Sequence, residues 1–96
     1  MINKKITIYG IYGAGGSGLS ISFFLKNNPN YNHILKNIYF IDDSNKLINQ
    51  GNINDFPIVS YKDFISLKSQ NKKILISVNN LKSKKKIFKK IKKDKI

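Results

Sequence analysis

The sequence predicts a small three-layer α/β domain with a short parallel sheet of about four strands and three helices. Short apolar runs alternate with segments of helical period, which is typical of strand-helix-strand units in such layers. The chain has 96 residues, of which 41% are hydrophobic, and this is enough for one modest core. We therefore expect one domain spanning residues 1–96, and a two-domain enzyme with a buried interdomain cleft is excluded.

The first strand and the first helix flank a glycine-rich turn. Residues 6–12 are β-branched and aromatic and end at Gly13, which predicts a strand. Residues 17–26 carry large apolar side chains at helical spacing, which predicts a helix. The proline in Asn27-Asn28-Pro29-Asn30 cannot continue that helix. We interpret residues 27–37 as a polar loop.

The middle of the chain predicts two further short strands. The apolar residues 38–41 are closed by Asp42 and Asp43, which predicts the second strand. Residues 44–56 show no sustained period and are interpreted as a loop. Residues 57–59 are expected to form only a short edge strand, because Pro57 donates no ladder hydrogen bond.

The last third of the chain predicts a helix, a strand and a basic helix. Ser60 can cap a second helix over residues 61–68, with a carboxylate three residues further on at Asp63. Residues 74–78 are expected to form the most clearly buried strand. Asn79 or Asn80 is expected to cap the final helix, whose apolar stripe faces the core and whose lysines face water.

The net charge of +13 arises from only one type of basic residue and one type of acidic residue. All 18 basic residues are lysine and all 5 acidic residues are aspartate. Lysine, isoleucine and asparagine have AT-rich codons, so genome composition is a sufficient cause of much of this charge. The excess is concentrated in residues 82–96. Because the chain has no arginine and no aromatic residues interleaved on an exposed basic face, we do not expect nucleic-acid binding.

The residue types that are absent exclude several classes of function. A chain without cysteine forms no disulfide, thiolate zinc site or iron–sulfur cluster, which favours the cytoplasm. No apolar stretch approaches the roughly 18 residues of a membrane span, and we expect no signal peptide. His33 is the single histidine and is expected at the surface, so the sequence predicts neither a metal site nor catalytic residues. The five tyrosines are interpreted as packing residues.

One sequence motif indicates a ligand-binding site. The segment is a complete G-x-G-x-x-G between a predicted strand and a predicted helix, and it comprises Gly13, Ala14, Gly15, Gly16, Ser17 and Gly18. The first glycine suits the tight turn, the second lets a phosphate approach the backbone, and the third lets the helix pack closely on the sheet. The free amides at the helix start then face the ligand. The motif predicts a Rossmann-like unit that binds phosphate or pyrophosphate.

Two carboxylates complete the predicted site. Asp42 and Asp43 follow the second strand, where an acidic residue hydrogen-bonds the ribose hydroxyls in nucleotide-binding units of this kind. The same loop and carboxylate also suit NAD, so a dinucleotide-binding module of an oxidoreductase is the alternative. A full dinucleotide needs a second mononucleotide-binding half, and this chain has room for one.

Four blocks in order resemble the amino-terminal domain of bacterial sugar acetyltransferases of the PglD/NeuD type. The blocks are the strand and glycine motif of residues 8–18, the Tyr39-Phe40-Ile41-Asp42-Asp43 segment, residues 54–59, and the Ile74-Leu75-Ile76-Ser77-Val78-Asn79-Asn80 segment before a basic helix. In this sequence Ser17 stands where that family usually has histidine.

The resemblance implies a substrate and a partner domain. It implies that the domain holds a UDP-sugar, with the glycine motif at the phosphates and Asp42 and Asp43 toward the uridine. It also implies a left-handed β-helix domain that binds acetyl-CoA and supplies the catalytic histidine. The 96 residues contain no hexapeptide repeat, so we expect binding and positioning here, in surface-glycan or sialic-acid-type sugar synthesis, and not acetyl transfer.

Overall fold

The fold is a mixed α/β sandwich with one sheet between two layers of helices, as the sequence predicts. The computed structural model describes residues 6–13, 17–68, 71–94 and 96. In chain order the elements are β1 (Thr7–Tyr12), α1 (Ser17–Asn27), a 3₁₀ helix (Pro29–Asn37), β2 (Ile38–Ile41), α2 (Asn45–Gln50), β3 (Asn52–Ile53), β4 (Phe56–Val59), α3 (Tyr61–Ser66), β5 (Asn71–Ile76) and α4 (Leu81–Lys93).

The order of the strands places a crossover point beside β1. The sheet runs β3-β4-β2-β1-β5, with β1, β2, β4 and β5 parallel and β3 antiparallel to β4. The chain builds outward from β1 through β2 to β4 and then returns to the other side of β1 as β5. The chain segments that follow β1 and β5 therefore leave the sheet toward opposite sides of it. This divergence opens a crevice at the carboxyl ends of these two strands.

Each face of the sheet has its own apolar core. On one face α3 and α4 cover a cluster that includes Tyr12, Ile41, Phe64 and Ile91. On the other face α1, the 3₁₀ helix and α2 pack against a cluster centred on Phe40. Because the sheet is buried on both sides, its central strands are apolar on both faces, and Phe40 and Ile41 have no exposed surface.

The segment that we interpreted as a loop, residues 44–56, contains a helix and a strand. Asn54 (φ 52°) and Asp55 (φ 70°) form a two-residue hairpin turn that pairs β3 with β4. Asparagine and aspartate adopt positive φ more readily than other non-glycine residues. This pair therefore indicates a hairpin turn that the hydrophobic periodicity of the segment does not reveal. The 27–37 segment is likewise helical, because Asn28 caps the 3₁₀ helix and Pro29 occupies its first turn.

Two predictions about strand position are wrong. The strand at residues 57–59 is not an edge strand, because β4 lies between β2 and β3. Pro57 is tolerated there because the neighbouring amide, Ile58, donates to the carbonyl oxygen of Gly51. Conversely, the strand predicted as the most buried forms the edge strand β5, where the side chain of Leu75 is half exposed. Among the described residues the sheet thus has five strands instead of about four.

Candidate functional site

The turn after β1 needs glycine at two described positions. Gly13 has φ +108°, and its amide donates to the carbonyl oxygen of Ile41 at 2.9 Å, so this amide belongs to the sheet. A Cβ on Gly18 would lie 2.1 Å from the carbonyl oxygen of Gly13. Helix α1 therefore begins directly against the end of β1. Ala14, Gly15 and Gly16, which we predict at the phosphates, lie outside the described residues.

Ser77 ties the end of β5 to this turn. Its hydroxyl lies 2.8 Å from the carbonyl oxygen of Tyr12, to which it donates, and 3.0 Å from that of Gly13. Its amide also donates to the Tyr12 carbonyl oxygen, at 3.0 Å. The side chain is buried. These contacts fix the end of β5 against the end of β1, and these two strand ends are the two sides of the crevice.

The first turns of two helices meet above the crevice. The Ser17 hydroxyl, at the first residue of α1, donates to the Asn79 side-chain oxygen at 3.0 Å. The next residue, Asn80, caps α4 by accepting the Ser83 amide at 3.0 Å. Neither helix has an acidic residue in its first turn. Because helix amino termini present unpaired amides and positive partial charge, their convergence favours an anion at this position.

The two predicted carboxylates lie at the same edge of the sheet and have different partners. Asp42 accepts the Ser44 amide at 2.9 Å, in the turn before α2. Asp43 accepts the Tyr61 amide at 3.1 Å and the Tyr12 hydroxyl at 3.3 Å. Asp43 thus links β2 to the start of α3 and to β1, although half of its side-chain surface stays exposed. Their contact with a nucleoside stays a prediction.

Two tyrosines and a lysine surround Asp43. The rings of Tyr12 and Tyr61 lie 5.8 Å apart, and the Lys90 ammonium lies 4.3 Å from the centre of the Tyr61 ring. The same ammonium is 3.4 Å from the Tyr12 hydroxyl and 3.9 Å from an Asp43 carboxylate oxygen. This arrangement combines an ion pair with a cation–π contact.

Both tyrosine hydroxyls are held in the protonated form. Burial raises the pKa of Tyr12 to about 12, with a further contribution from the negative charge of Asp43. Burial also raises the pKa of Tyr61, assisted by the hydrogen bond that its hydroxyl donates to Asp94. The two tyrosines are therefore neutral hydrogen-bond donors at physiological pH.

A cavity of about 290 Å³ opens beside this cluster, between α4 and the end of β1. It is lined by Tyr12, Ser83, Lys86, Ile87 and Lys90. The sequence patterns predict no site role for these residues, nor for Ser77 and Asn79. The sequence position of Tyr12, directly before the glycine turn, could have indicated a site role. By contrast, only the packing of α4 across β1 brings Lys86 and Lys90 to this edge of the sheet.

The described residues form no histidine-based site, metal site or membrane-spanning helix in addition to this cluster. His33 is exposed on the 3₁₀ helix. Within the described part of the chain, no group of three histidine or carboxylate side chains could hold a metal ion. Across that same part, none of the helices has the length and apolar character that a membrane crossing requires.

Comparison with known proteins identifies the family. The model of the PglD N-terminal domain matches residues 8–91. Among solved structures, WeeI from Acinetobacter baumannii AYE is similar, with a TM-score of 0.80 and 29% sequence identity; the match covers 95% of this chain and 41% of that chain. The chain thus spans less than half the length of that relative. No match was found among the curated proteins.

The matched region contains the whole candidate site, from β1 to the lysines of α4, and the structural match extends over nearly the entire chain. The chain belongs to the PglD N-terminal domain family, and it is an acetyltransferase-related α/β domain.

Proposed function

We propose that residues 1–96 form one nucleotide-sugar-binding domain, which holds a UDP-sugar at the carboxyl edge of its sheet for a sugar acetyltransferase. The observation that carries the proposal is the hydrogen bond between Ser17 and Asn79, which joins the first residue of α1 to the residue before the α4 cap at the crossover point of the sheet. Ligands of open parallel sheets bind in this crevice.

The site supports binding and positioning, not bond formation. The first amides of α1 and the positive end of its dipole suit a phosphate of the pyrophosphate. We assign Asp42 and Asp43, which follow the adjacent strand β2, to the ribose and uracil. The Ser17 hydroxyl, which stands where the family usually has histidine, already donates to Asn79 and so holds the start of α1 next to the residue before the α4 cap.

Acetyl transfer requires a second domain. The family resemblance supports a left-handed β-helix partner that binds acetyl-CoA and acts on the amino group or hydroxyl of the bound sugar. This domain would supply the substrate in a fixed orientation, which lowers the entropic cost of the reaction. The setting that we propose is the cytoplasmic synthesis of modified sugars for bacterial surface glycans.

The test is a titration of ¹⁵N-labelled protein with UDP and with a UDP-4-amino-sugar, followed by NMR. We expect the amides of Ser17 and Gly18 to shift, while that of Asn52, on the opposite edge strand, does not. Shifts of the site amides with NADH but not with UDP-sugars would refute the proposal and favour the dinucleotide module, which the family match does not support.

A matched pair of variants tests the anion site directly. Ser17→Glu places a carboxylate where the phosphate would bind, so UDP affinity should fall at least about tenfold, although acidic residues normally stabilise a helix start. Ser20→Glu, one turn further on at an exposed position of α1, should change the affinity less than about twofold, because the helix dipole acts mainly within the first turn. Equal losses in both variants would contradict a localised site.

A further inference from the structure

The cavity beside Tyr12 has a cationic wall that the proposed nucleotide site does not use. Lys86 and Lys90 are four residues apart on α4 and line the same cavity, together with Ser83. Side chains at this spacing are neighbours on one face of a helix. Two lysines of α4 and Tyr12 at the end of β1 therefore line one cavity.

The two lysines, Lys86 and Lys90, have different electrostatic environments. Lys90 is balanced by Asp43, 3.9 Å away, and is further held by the Tyr12 hydroxyl and the Tyr61 ring. Lys86 has no hydrogen bond or ion pair with any residue in the described ranges. The cavity consequently has one uncompensated positive charge, which lies next to the anion-favouring crevice.

The position of the cavity relates it to the crevice. Tyr12, which lines the cavity, is directly followed by the glycine turn, and Ser83, which also lines it, donates its amide to the cap residue Asn80. The same cap region holds Ser17 through Asn79. A ligand whose first phosphate lies at the start of α1 would therefore extend its next charged group along the first turns of α4.

We propose that Lys86, with the Ser83 hydroxyl, is the subsite for the distal phosphate of a nucleoside diphosphate. This inference rests on the proposed function and goes beyond it, because it assigns the second phosphate to α4 instead of to the glycine turn. Lys90 is a positioning residue that neutralises Asp43, so the carboxylate does not repel the phosphate. The site thereby selects nucleoside diphosphates and their sugar esters over nucleoside monophosphates.

The experiment compares UDP with UMP by isothermal titration calorimetry on the 96-residue protein at fixed ionic strength. Lys86→Gln should weaken UDP binding about tenfold, the loss of one charge-assisted hydrogen bond, and UMP binding less than about twofold. Lys86→Arg should retain UDP binding. Lys89→Gln is the matched control, because Lys89 is exposed on the same helix and does not line the cavity.

The outcomes separate this inference from the proposed function. Equal weakening of UDP and UMP, or the same loss in Lys89→Gln as in Lys86→Gln, would show only a general effect of net charge and would overturn the inference. Unchanged UDP binding in Lys86→Gln would overturn it as well, while the proposed function stands as long as the wild-type protein binds UDP. If the wild-type protein binds neither nucleotide, both proposals fail. Because Lys86 is exposed, we expect its substitution to leave the melting temperature unchanged.

Discussion

Replacing Gly18 with alanine tests how closely α1 approaches the end of β1. The added Cβ would lie 2.1 Å from the Gly13 carbonyl oxygen and 3.2 Å from the Ser77 hydroxyl. Ordinary van der Waals contact begins at 3.4 Å, so the helix and the strand end would have to separate by more than an ångström. The carbonyl oxygen is part of the backbone and cannot rotate away as a side chain would.

The expected cost follows from two opposing effects. Overpacking of this kind costs about 1–3 kcal/mol, and a clash with backbone belongs at the upper end of that range. Alanine regains about 1 kcal/mol of helix propensity relative to glycine. We therefore expect Gly18→Ala to lower the free energy of unfolding by about 2 kcal/mol, which corresponds to a decrease in melting temperature of roughly 10 °C for a domain of this size.

Thermal unfolding followed by circular dichroism measures this decrease. Ser20→Ala, at an exposed position of the same helix, controls for helix propensity and should melt within about 2 °C of the wild type. If Gly18→Ala melts as the wild type does, α1 does not begin against β1 in the way described, and the geometry of the anion site would need revision.

Substitutions at three further positions test the framework of the site. Ser77→Ala should cost about 1–2 kcal/mol in urea unfolding, because the Tyr12 and Gly13 carbonyl oxygens lose a buried donor, and an unchanged midpoint would contradict that contact. Asn80→Ala should cost about 1 kcal/mol in thermal melts through loss of the α4 cap, and Asn80→Ser should restore most of it; equal losses would argue against capping. For Tyr12, the raised pKa means that its stabilising effect is complete below pH 10.0 and is lost as the pH rises toward about 12. Urea unfolding across that window should therefore show a steeper loss of stability in the wild type than in Tyr12→Phe, with Tyr61 supplying the remainder; identical profiles would refute the role of burial.

The local sequence was sufficient for most of the elements. Strand β1, helix α1, strand β2 and the capped helix α3 follow from short-range patterns, because each depends on period, a cap or a breaker within its own few residues. The Ser60 cap, for example, accepts the Asp63 amide at 3.1 Å as the pattern predicts. The ordered motifs were likewise sufficient to identify the family, which the family match confirms.

Only the tertiary structure decided which strands are central and which residues share the site. An apolar run reports that a strand is buried somewhere but not how many neighbours it has, so β5 was expected inside and lies at the edge. Contacts such as Ser17 with Asn79 and Asp43 with Lys90 join residues that are far apart in the chain, and no local period encodes them. The sequence by itself therefore determined most of the elements and the glycine motif, whereas the packing of α4 across β1 determined the cationic cavity, because long-range proximity arises from the order of the strands.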